Sequence, residues 1–289
     1  MASLQDIKRR ISSVKNTLQI TKAMKMVAAA KFRRAQLKMA EARPYSVKMA
    51  DVITAITAGI DRESHPLLAK RDGKSVEVIL ITGDRGLCSS FNTNALKAAD
   101  KLIKQLKSDG HDVSVCAVGR KSKAYFKREG IEPLGAWEGL SGGKVDYASA
   151  TAIAREVIKT YEDGAMDEVY LVYNEFRSVL AQEVITKKLL PFEENTGDIA
   201  EDAPVFLFEP SIDSILGRIL PKYIEVQLYQ ALLESQAAEE AARMNAMENA
   251  TQAANDMIET LTLDYNKVRQ ASITAELMDI IGGAEAVKQ

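Results

Sequence analysis

Long stretches of heptad-spaced apolar residues at both ends of the chain constrain its fold more than any other feature. From about Ser3 to Ile60, apolar or small residues recur at alternating steps of three and four, and the same spacing runs from about Ile212 to Ile281. This spacing predicts two helices, each with one apolar face. At 1.5 Å per residue they would span roughly 80 and 105 Å. Helices of such length need a partner along the apolar face.

The two terminal segments carry opposite charge. Residues 1–50 hold twelve basic and two acidic side chains, a net charge of +10, whereas residues 225–289 hold eleven acidic and four basic ones, a net charge of −7. We therefore expect the two helices to pair as a coiled coil. The domain between them allows the chain to reverse its direction before the second helix begins, so the pairing should be antiparallel. Independent packing of two amphipathic helices on a globular body is the alternative. The C-terminal helix is longer, so its end should extend roughly 20 Å past its partner.

Prolines and polar residues interrupt both patterns. Pro44 should kink or split the N-terminal helix, and Pro221 can kink the C-terminal one near its start. Polar side chains also break the apolar faces of both helices, at Thr21, Lys25, Gln230, Glu240, Thr251 and Ser272. The acidic residues of the C-terminal helix are expected mostly to form a solvated face.

The middle of the chain alternates between strand and helix patterns. The predicted helices are 92–107, a stretch ending near residue 128, and 147–163; the predicted strands are 76–82, 113–119, 168–176, 181–191 and 204–210. Alternation of this kind predicts βαβ units around a mostly parallel sheet. The expected fold is therefore α/β. A long antiparallel two-helix coiled coil (residues 1–60 and 212–286) would flank an inserted Rossmann-like βαβ domain (residues 75–209).

One turn invites a nucleotide hypothesis. Residues 81–92 read ITGDRGLCSSFN and join a predicted strand to a predicted helix. The two glycines do not have the spacing of a dinucleotide-binding loop, no lysine of a Walker motif follows, and Asp84 would repel a phosphate. Ser89, Ser90 and Asn92 are suitable N-caps for the helix. A capped structural turn, without a bound cofactor, is the favoured interpretation.

No catalytic or metal-binding set stands out elsewhere. His65 and His111 are far apart in loop-like stretches, without neighbours at metal-ligand spacing. Cys88, beside Arg85, is either a thiol with a lowered pKa or, more commonly for cysteine, a buried inert one. The only other cysteine is Cys116, so a disulfide framework is not expected. The N-terminus lacks a signal-peptide core, no apolar run is long enough to span a membrane, and the net charge of −2 does not favour a polyanion binder.

The expected free end of the C-terminal helix carries a compact polar set: Arg269, Gln270, Thr274 and Glu276. Its apolar residues would be exposed beyond the end of the partner helix, and such a surface needs a partner. The alternative is a fraying helix terminus that stops at Gly282 and Gly283.

Several long motifs identify a family resemblance that covers nearly the whole chain. The N-terminal motif is ITKAMKMVAAAKFRRAQ (20–36), the central one is DRGLCSSFN (84–92), and the C-terminal ones are ARMNAMENATQAAND (242–256) and YNKVRQASITAELMDIIGGAEA (265–286). These motifs resemble those of the gamma subunit of F-type, H⁺-transporting ATP synthase. Ser89-Ser90 replaces a Gly-Gly pair that is common in the family. The cysteine-containing insertion of chloroplast members is missing.

The resemblance implies a non-catalytic rotor. The coiled coil would be the shaft inside a ring of alpha and beta subunits, and the central domain, without nucleotide, would form a foot with the epsilon subunit on a membrane-embedded c-ring. The motif match implies beta-subunit contacts by Arg269, Gln270, Thr274, Glu276, Met24 and Lys25, and foot contacts by Arg43, Tyr45, Phe206 and Phe208. The expected location is peripheral, on the cytoplasmic face of a bacterial inner membrane, or alternatively on the mitochondrial matrix side. A static coiled-coil scaffold and a Rossmann-domain nucleotide enzyme remain as alternatives.

Overall fold

A computed structural model describes residues 3–57, 63, 65–71, 73–140, 145–192 and 212–287. The predicted strand at 204–210, with Phe206 and Phe208, lies outside the described residues. Within them the elements, in chain order, are α1 (Leu4–Thr57), β1 (Ser75–Ile81), α2 (Phe91–Ser108), β2 (Asp112–Val118), α3 (Arg120–Arg128), β3 (Gly135–Trp137), α4 (Tyr147–Glu162), β4 (Glu168–Phe176), β5 (Gln182–Leu190) and α5 (Ile212–Val287). The predicted α/β fold with two long terminal helices is confirmed.

Five strands form one sheet in the order β3-β2-β1-β4-β5. β1 pairs in parallel with β2 and β4, β2 pairs in parallel with β3, and β5 pairs antiparallel with β4 at the edge. The sheet is thus mostly parallel, as predicted. The three-residue strand β3 was not predicted, because GAW is too short to show an alternating pattern.

The chain divides into two compact units. The larger one comprises residues 28–243 and contains the sheet with helices α2, α3 and α4, and the smaller one comprises residues 1–27 and 244–289. Each unit includes part of α1 and part of α5. The domain boundaries predicted from the sequence were placed where the residue pattern changes along the chain, not by contacts in space. They remain a prediction.

In the larger unit, both faces of the sheet are covered by helices. Alternate residues of β1 point to opposite faces: Val78 and Leu80 pack with α2 and α3, whereas Ile79 and Ile81 pack with α4 and with parts of α1 and α5. Burial on both faces explains why VEVILIT reads as a nearly continuous apolar run. The terminal helices thus form part of the covering layer.

Neither proline divides a helix. α1 continues through Pro44, and α5 continues through Pro221. The prediction that Pro44 might split the helix is therefore wrong, since a proline removes one backbone hydrogen bond of a long helix that tertiary contacts hold on both sides. A kink at either position remains a prediction. Within the described residues, no helix has a stretch apolar and long enough to cross a membrane.

Candidate functional site

The turn between β1 and α2, the candidate nucleotide site, is closed by its own hydrogen bonds. Gly83 N–H donates to Asn92 Oδ1 at 2.9 Å. Asp84 Oδ1 accepts from the backbone N–H of Arg120, the first residue of α3, at 3.0 Å, and from Gly139 N–H at 3.1 Å. The Asp84 carboxylate therefore binds backbone donors of neighbouring segments, at the start of α3 and after β3. This geometry favours the structural interpretation of the turn.

One expectation about the turn needs correction, and the structure decides between the two alternatives for Cys88. Ser90 occupies the N-cap position of α2, but its side chain makes no capping hydrogen bond, and the Asn92 amide is used within the turn, where it donates to Arg85 O and Cys88 Sγ. The Cys88 pKa is raised, not lowered, because the thiol is buried and lies near Glu239. Cys88 is therefore a buried, inert thiol. The Asn92 side chain forms its hydrogen bonds within the turn.

The turn packs against α5 within the larger unit. Cys88 and Phe91 form an apolar cluster with Ala238 and Ala242. A Cβ atom added to Gly83 would lie 2.6 Å from Glu239 Oε1, closer than real Cβ contacts occur. Because Gly83 has no side chain, the end of β1 can approach α5 closely. The turn that was considered as a phosphate loop is thus part of the surface on which α5 packs.

Three charged residues of α5 are buried beside this turn. Glu239 and Glu240 are 2% and 1% exposed, and Arg243 is 9% exposed. Arg243 pairs with Glu239, and its Nη1 lies 2.9 Å from Glu240 Oε1. Lys31 of α1 comes within 4.0 Å of the same Glu240 oxygen. Burial raises the pKa of Glu239. The expectation of a mostly solvated acidic face is wrong here, because Arg243 neutralises acids that face the core.

The histidines are not brought together. His65 Nδ1 accepts from the backbone N–H of Leu67 at 3.2 Å, a local turn contact. In the described part of the chain, no group of three or more histidine, cysteine, aspartate or glutamate residues could hold a metal ion.

In the smaller unit, α1 and α5 pair as antiparallel helices. Thr251 Oγ1 donates to Thr21 Oγ1 at 2.9 Å, and Lys25 forms an ion pair with Glu248. These polar contacts occur at positions where the sequence pattern was interrupted. The polar residues of α1 lie opposite polar residues of α5, so these contacts set the register of the helix pair and satisfy the polar groups that make them.

The pairing ends before α5 does. At the register of Thr21 and Thr251, the first residue of α1, Leu4, lies opposite Val268. The contact positions of α5 remain half-buried as far as Ser272, and residues 273–281 are all exposed. Leu277 is 53% exposed and Ile280 is 68% exposed. We call residues 269–281 the tip; its apolar surface has no covering helix in the described residues.

The residues predicted to contact beta subunits all lie in this smaller unit. Met24 is half-buried, and Lys25 is held by Glu248. The four residues of the tip are exposed, and Thr274 Oγ1 donates to Gln270 O at 2.9 Å; they are Arg269, Gln270, Thr274 and Glu276. In the larger unit, Arg43 and Tyr45 are exposed. The geometry leaves these residues accessible, and their contacts with other subunits remain predictions.

Comparison with known proteins identifies the family. A family model described as ATP synthase matches residues 3–287. The ATP synthase gamma chain of Geotalea daltonii is 46% identical over 288 residues and all of both chains, and that of Heliobacterium modesticaldum is 45% identical over 99% of this chain and all of its own.

Solved structures agree with this comparison. A chain of the central stalk and c-ring of the Tetrahymena thermophila mitochondrial ATP synthase is 27% identical, with 80% of this chain and 99% of that chain covered and a TM-score of 0.57. A chain from the OSCP/F1/c-ring structure of the Euglena gracilis mitochondrial ATP synthase is 21% identical, covers 98% and 94%, and has a TM-score of 0.67, which supports the fold. The chain described here belongs to the ATP synthase gamma chain family.

Proposed function

We propose that this chain is the central rotor shaft of an ATP synthase, coupling rotation of a c-ring to successive conformational changes in the catalytic beta subunits. The observation that carries the proposal is the end of the helix pair: α5 continues beyond its last half-buried contact at Ser272 as an exposed tip with both apolar and polar residues. An exposed surface of this kind needs a partner. The catalytic head of the complex would provide that partner.

The shaft would act through unequal contacts. One shaft among three copies of a beta subunit presents a different face to each copy, and a contact that differs between copies shifts their conformational equilibria differently. Arg269, Gln270, Thr274 and Glu276 would make polar contacts with a beta-subunit loop. Met24 and Lys25 would lie near an acidic beta-subunit segment, where Lys25 would exchange its contact with Glu248 for one with the partner.

The larger unit would form the foot of the rotor. Arg43 and Tyr45, together with Phe206 and Phe208, would contact the c-ring or the epsilon subunit. The chain itself would carry no catalytic residue, because the turn at 82–92 is closed and packs on α5. It would lie peripheral to the membrane, on the cytoplasmic face in bacteria, or on the matrix side if the source is mitochondrial.

The test is ATP hydrolysis by matched alpha and beta subunits, with and without the full chain. A large gain that saturates at one chain per three alpha–beta pairs supports the rotor. Binding without a gain in rate supports a static scaffold and overturns the proposal.

A variant refines this test. Arg269→Ala should weaken ATP-driven proton pumping by the reconstituted complex, whereas Lys267→Ala, at an exposed neighbouring position, should leave pumping unchanged. Equal pumping by the wild type and the Arg269 variant would remove Arg269 from the proposed contact.

A further inference from the structure

A partly enclosed pocket of about 90 Å³ lies in the larger unit where α1, β5 and α5 meet. The residues that line it are Ala50 and Thr54 of α1, Lys187, Lys188 and Leu189 of β5, Phe192, and Tyr223 and Gln227 of α5. A single enclosed water molecule needs about 10–15 Å³, whereas small-molecule sites begin at about 300 Å³. The pocket therefore suits a small ion and is too small for a nucleotide.

The pocket holds one positive charge that no acid neutralises directly. Lys187 Nζ donates to Gln227 Oε1 at 2.6 Å, and within the described residues it has no ion pair. Lys188, the next residue of β5, differs, because its Nζ lies 2.7 Å from Glu168 Oε1. Lys187 is thus the cation that remains available to a ligand.

The surroundings of Lys187 favour a counterion. Neighbouring groups exclude water from its ammonium group and lower its pKa, and the carboxylates of Glu234 and Glu175 oppose this effect only from beyond ion-pair distance. Loss of water disfavours the charged form of a lysine, and a nearby negative charge restores it. The occupant of the pocket should therefore be an anion.

The other polar groups at the wall can donate hydrogen bonds. Gln227 Oε1 is used by Lys187, which leaves the Gln227 Nε2 as a donor. The hydroxyl groups of Thr54 and Tyr223 have no hydrogen-bond partner in the part of the chain that the structure describes. Phe192 meets the Tyr223 ring edge to face at 5.3 Å, and burial raises the pKa of Tyr223 to about 12, so its hydroxyl keeps its proton. Donors around one cation suit the several oxygens of an oxyanion.

From its size, its cation and its donors we propose that the pocket between α1, β5 and α5 binds one small oxyanion of the phosphate class. Lys187 supplies the positive charge, and Thr54, Tyr223 and Gln227 donate hydrogen bonds to the oxygens. The anion bridges two helices and the edge strand within the larger unit, so its binding stabilises their contact. The site is independent of the proposed rotor function, because neither the tip nor the proposed foot contacts line the pocket.

The test titrates the full chain with inorganic phosphate, with chloride at the same ionic strength as the control. Phosphate should bind saturably in the millimolar range or more tightly, raise the melting temperature, and shift the backbone amide resonances of Leu189 and Gln227. Chloride should do none of these. Absence of a saturable effect of phosphate beyond that of chloride, or resonance shifts confined to other residues, overturns the proposal, and this measurement needs no variant.

Two variants locate the site. Lys187→Met removes the charge and should weaken phosphate binding by about tenfold or more, whereas Lys159→Met, at an exposed position of α4, should leave the affinity unchanged. Tyr223→Phe keeps the ring, removes the hydroxyl donor and should weaken binding by about three- to tenfold. Wild-type affinity in either pocket variant, or an equal loss in Lys159→Met, contradicts the assignment.

Discussion

Ser89 adopts a backbone conformation that L-amino acids rarely take. Its φ angle is 50°, in the left-handed region, whereas its neighbour Ser90 has a φ of −83°. The family resemblance places a glycine at each of the two positions. The structure gives a physical reason for glycine at Ser89 only, since glycine has no Cβ to oppose a positive φ.

We therefore predict that Ser89→Gly stabilises the chain by roughly 0.5–1 kcal/mol. The substitution removes the left-handed strain, and part of the gain is lost to the greater freedom of glycine in the unfolded state. Denaturant unfolding of the full chain measures the change. Ser90→Gly is the control: it should be neutral or destabilising, and a larger stabilisation by Ser90→Gly than by Ser89→Gly would contradict the explanation.

Glu77 is a carboxyl group in the middle of a buried strand. It is 4% exposed, and its Oε2 has no hydrogen-bond partner in the described part of the chain. Burial and, to a smaller extent, the nearby carboxylate of Glu156 raise its pKa to about 7. The folded chain therefore keeps a proton that the unfolded chain releases near pH 4.5.

The sign of the pH dependence follows from this shift. Between pH 4.5 and about 7 the folded state binds the extra proton, so stability falls as pH rises through this window and is level above it. A shift of this size corresponds to about 3 kcal/mol. Glu77→Gln should lose less stability than the wild type between pH 4 and pH 8, and urea unfolding at both pH values measures the difference. Identical losses in the two proteins would show that Glu77 does not titrate in this way.

At the scale of elements, the sequence predicts those helices and strands whose residue pattern extends over several residues. α1 and α5 follow from heptad spacing, and β1, β2 and β4 follow from apolar runs bounded by polar turns. β3 does not follow, because three residues cannot show a period. The greater length of the C-terminal helix likewise predicted the exposed tip, but the contact partners of its residues depend on other chains and cannot be read from this one.

The buried acids of α5 show a different limit. Glutamates are rarely buried unless they are paired, so Glu239 and Glu240 read as solvated. A signal was present nevertheless: alanines surround them on both sides, in the order AAEEAAR (237–243). Ala237 and Ala241 pack in one apolar cluster, Ala238 and Ala242 in another. A helix that packs on two sides buries the charges between them.

In this arrangement Arg243 is the cation that pairs with both buried acids, Glu239 and Glu240. Arg243→Met should destabilise the larger unit by about 3–5 kcal/mol, because it leaves Glu239 and Glu240 buried without a close cation, apart from Lys31 at 4.0 Å from Glu240. The control is Lys48→Met, which removes an exposed pair with Asp51 and should cost about 1 kcal/mol or less. Unfolding in urea distinguishes the two. Equal small losses would mean that the stability of the larger unit does not depend on the pairing of Glu239 and Glu240 with Arg243.

At the scale of the whole molecule, stability and coupling are expected to depend on different parts of α5. The paired part ends at Ser272, and residues 273–281 make no buried contact in the described structure. An exposed segment contributes little to the free energy of unfolding, because burial of apolar surface is the main favourable term. The proposed coupling surface, in contrast, includes this exposed segment, which carries Thr274 and Glu276. A deletion can therefore separate the two properties.

Deletion of residues 273–289 should leave the melting temperature of the isolated chain unchanged and reduce ATP-driven proton pumping by the reconstituted complex. A deletion that begins at residue 258 is the matched control, because it removes the half-buried contacts at Ile258, Leu261, Tyr265 and Val268 and should lower the melting temperature as well. The two measurements are calorimetry of the chain and pumping by the complex. A lowered melting temperature with full pumping after the shorter deletion would place residues 273–289 in the fold and outside the coupling surface, and would remove the observation that carries the rotor proposal.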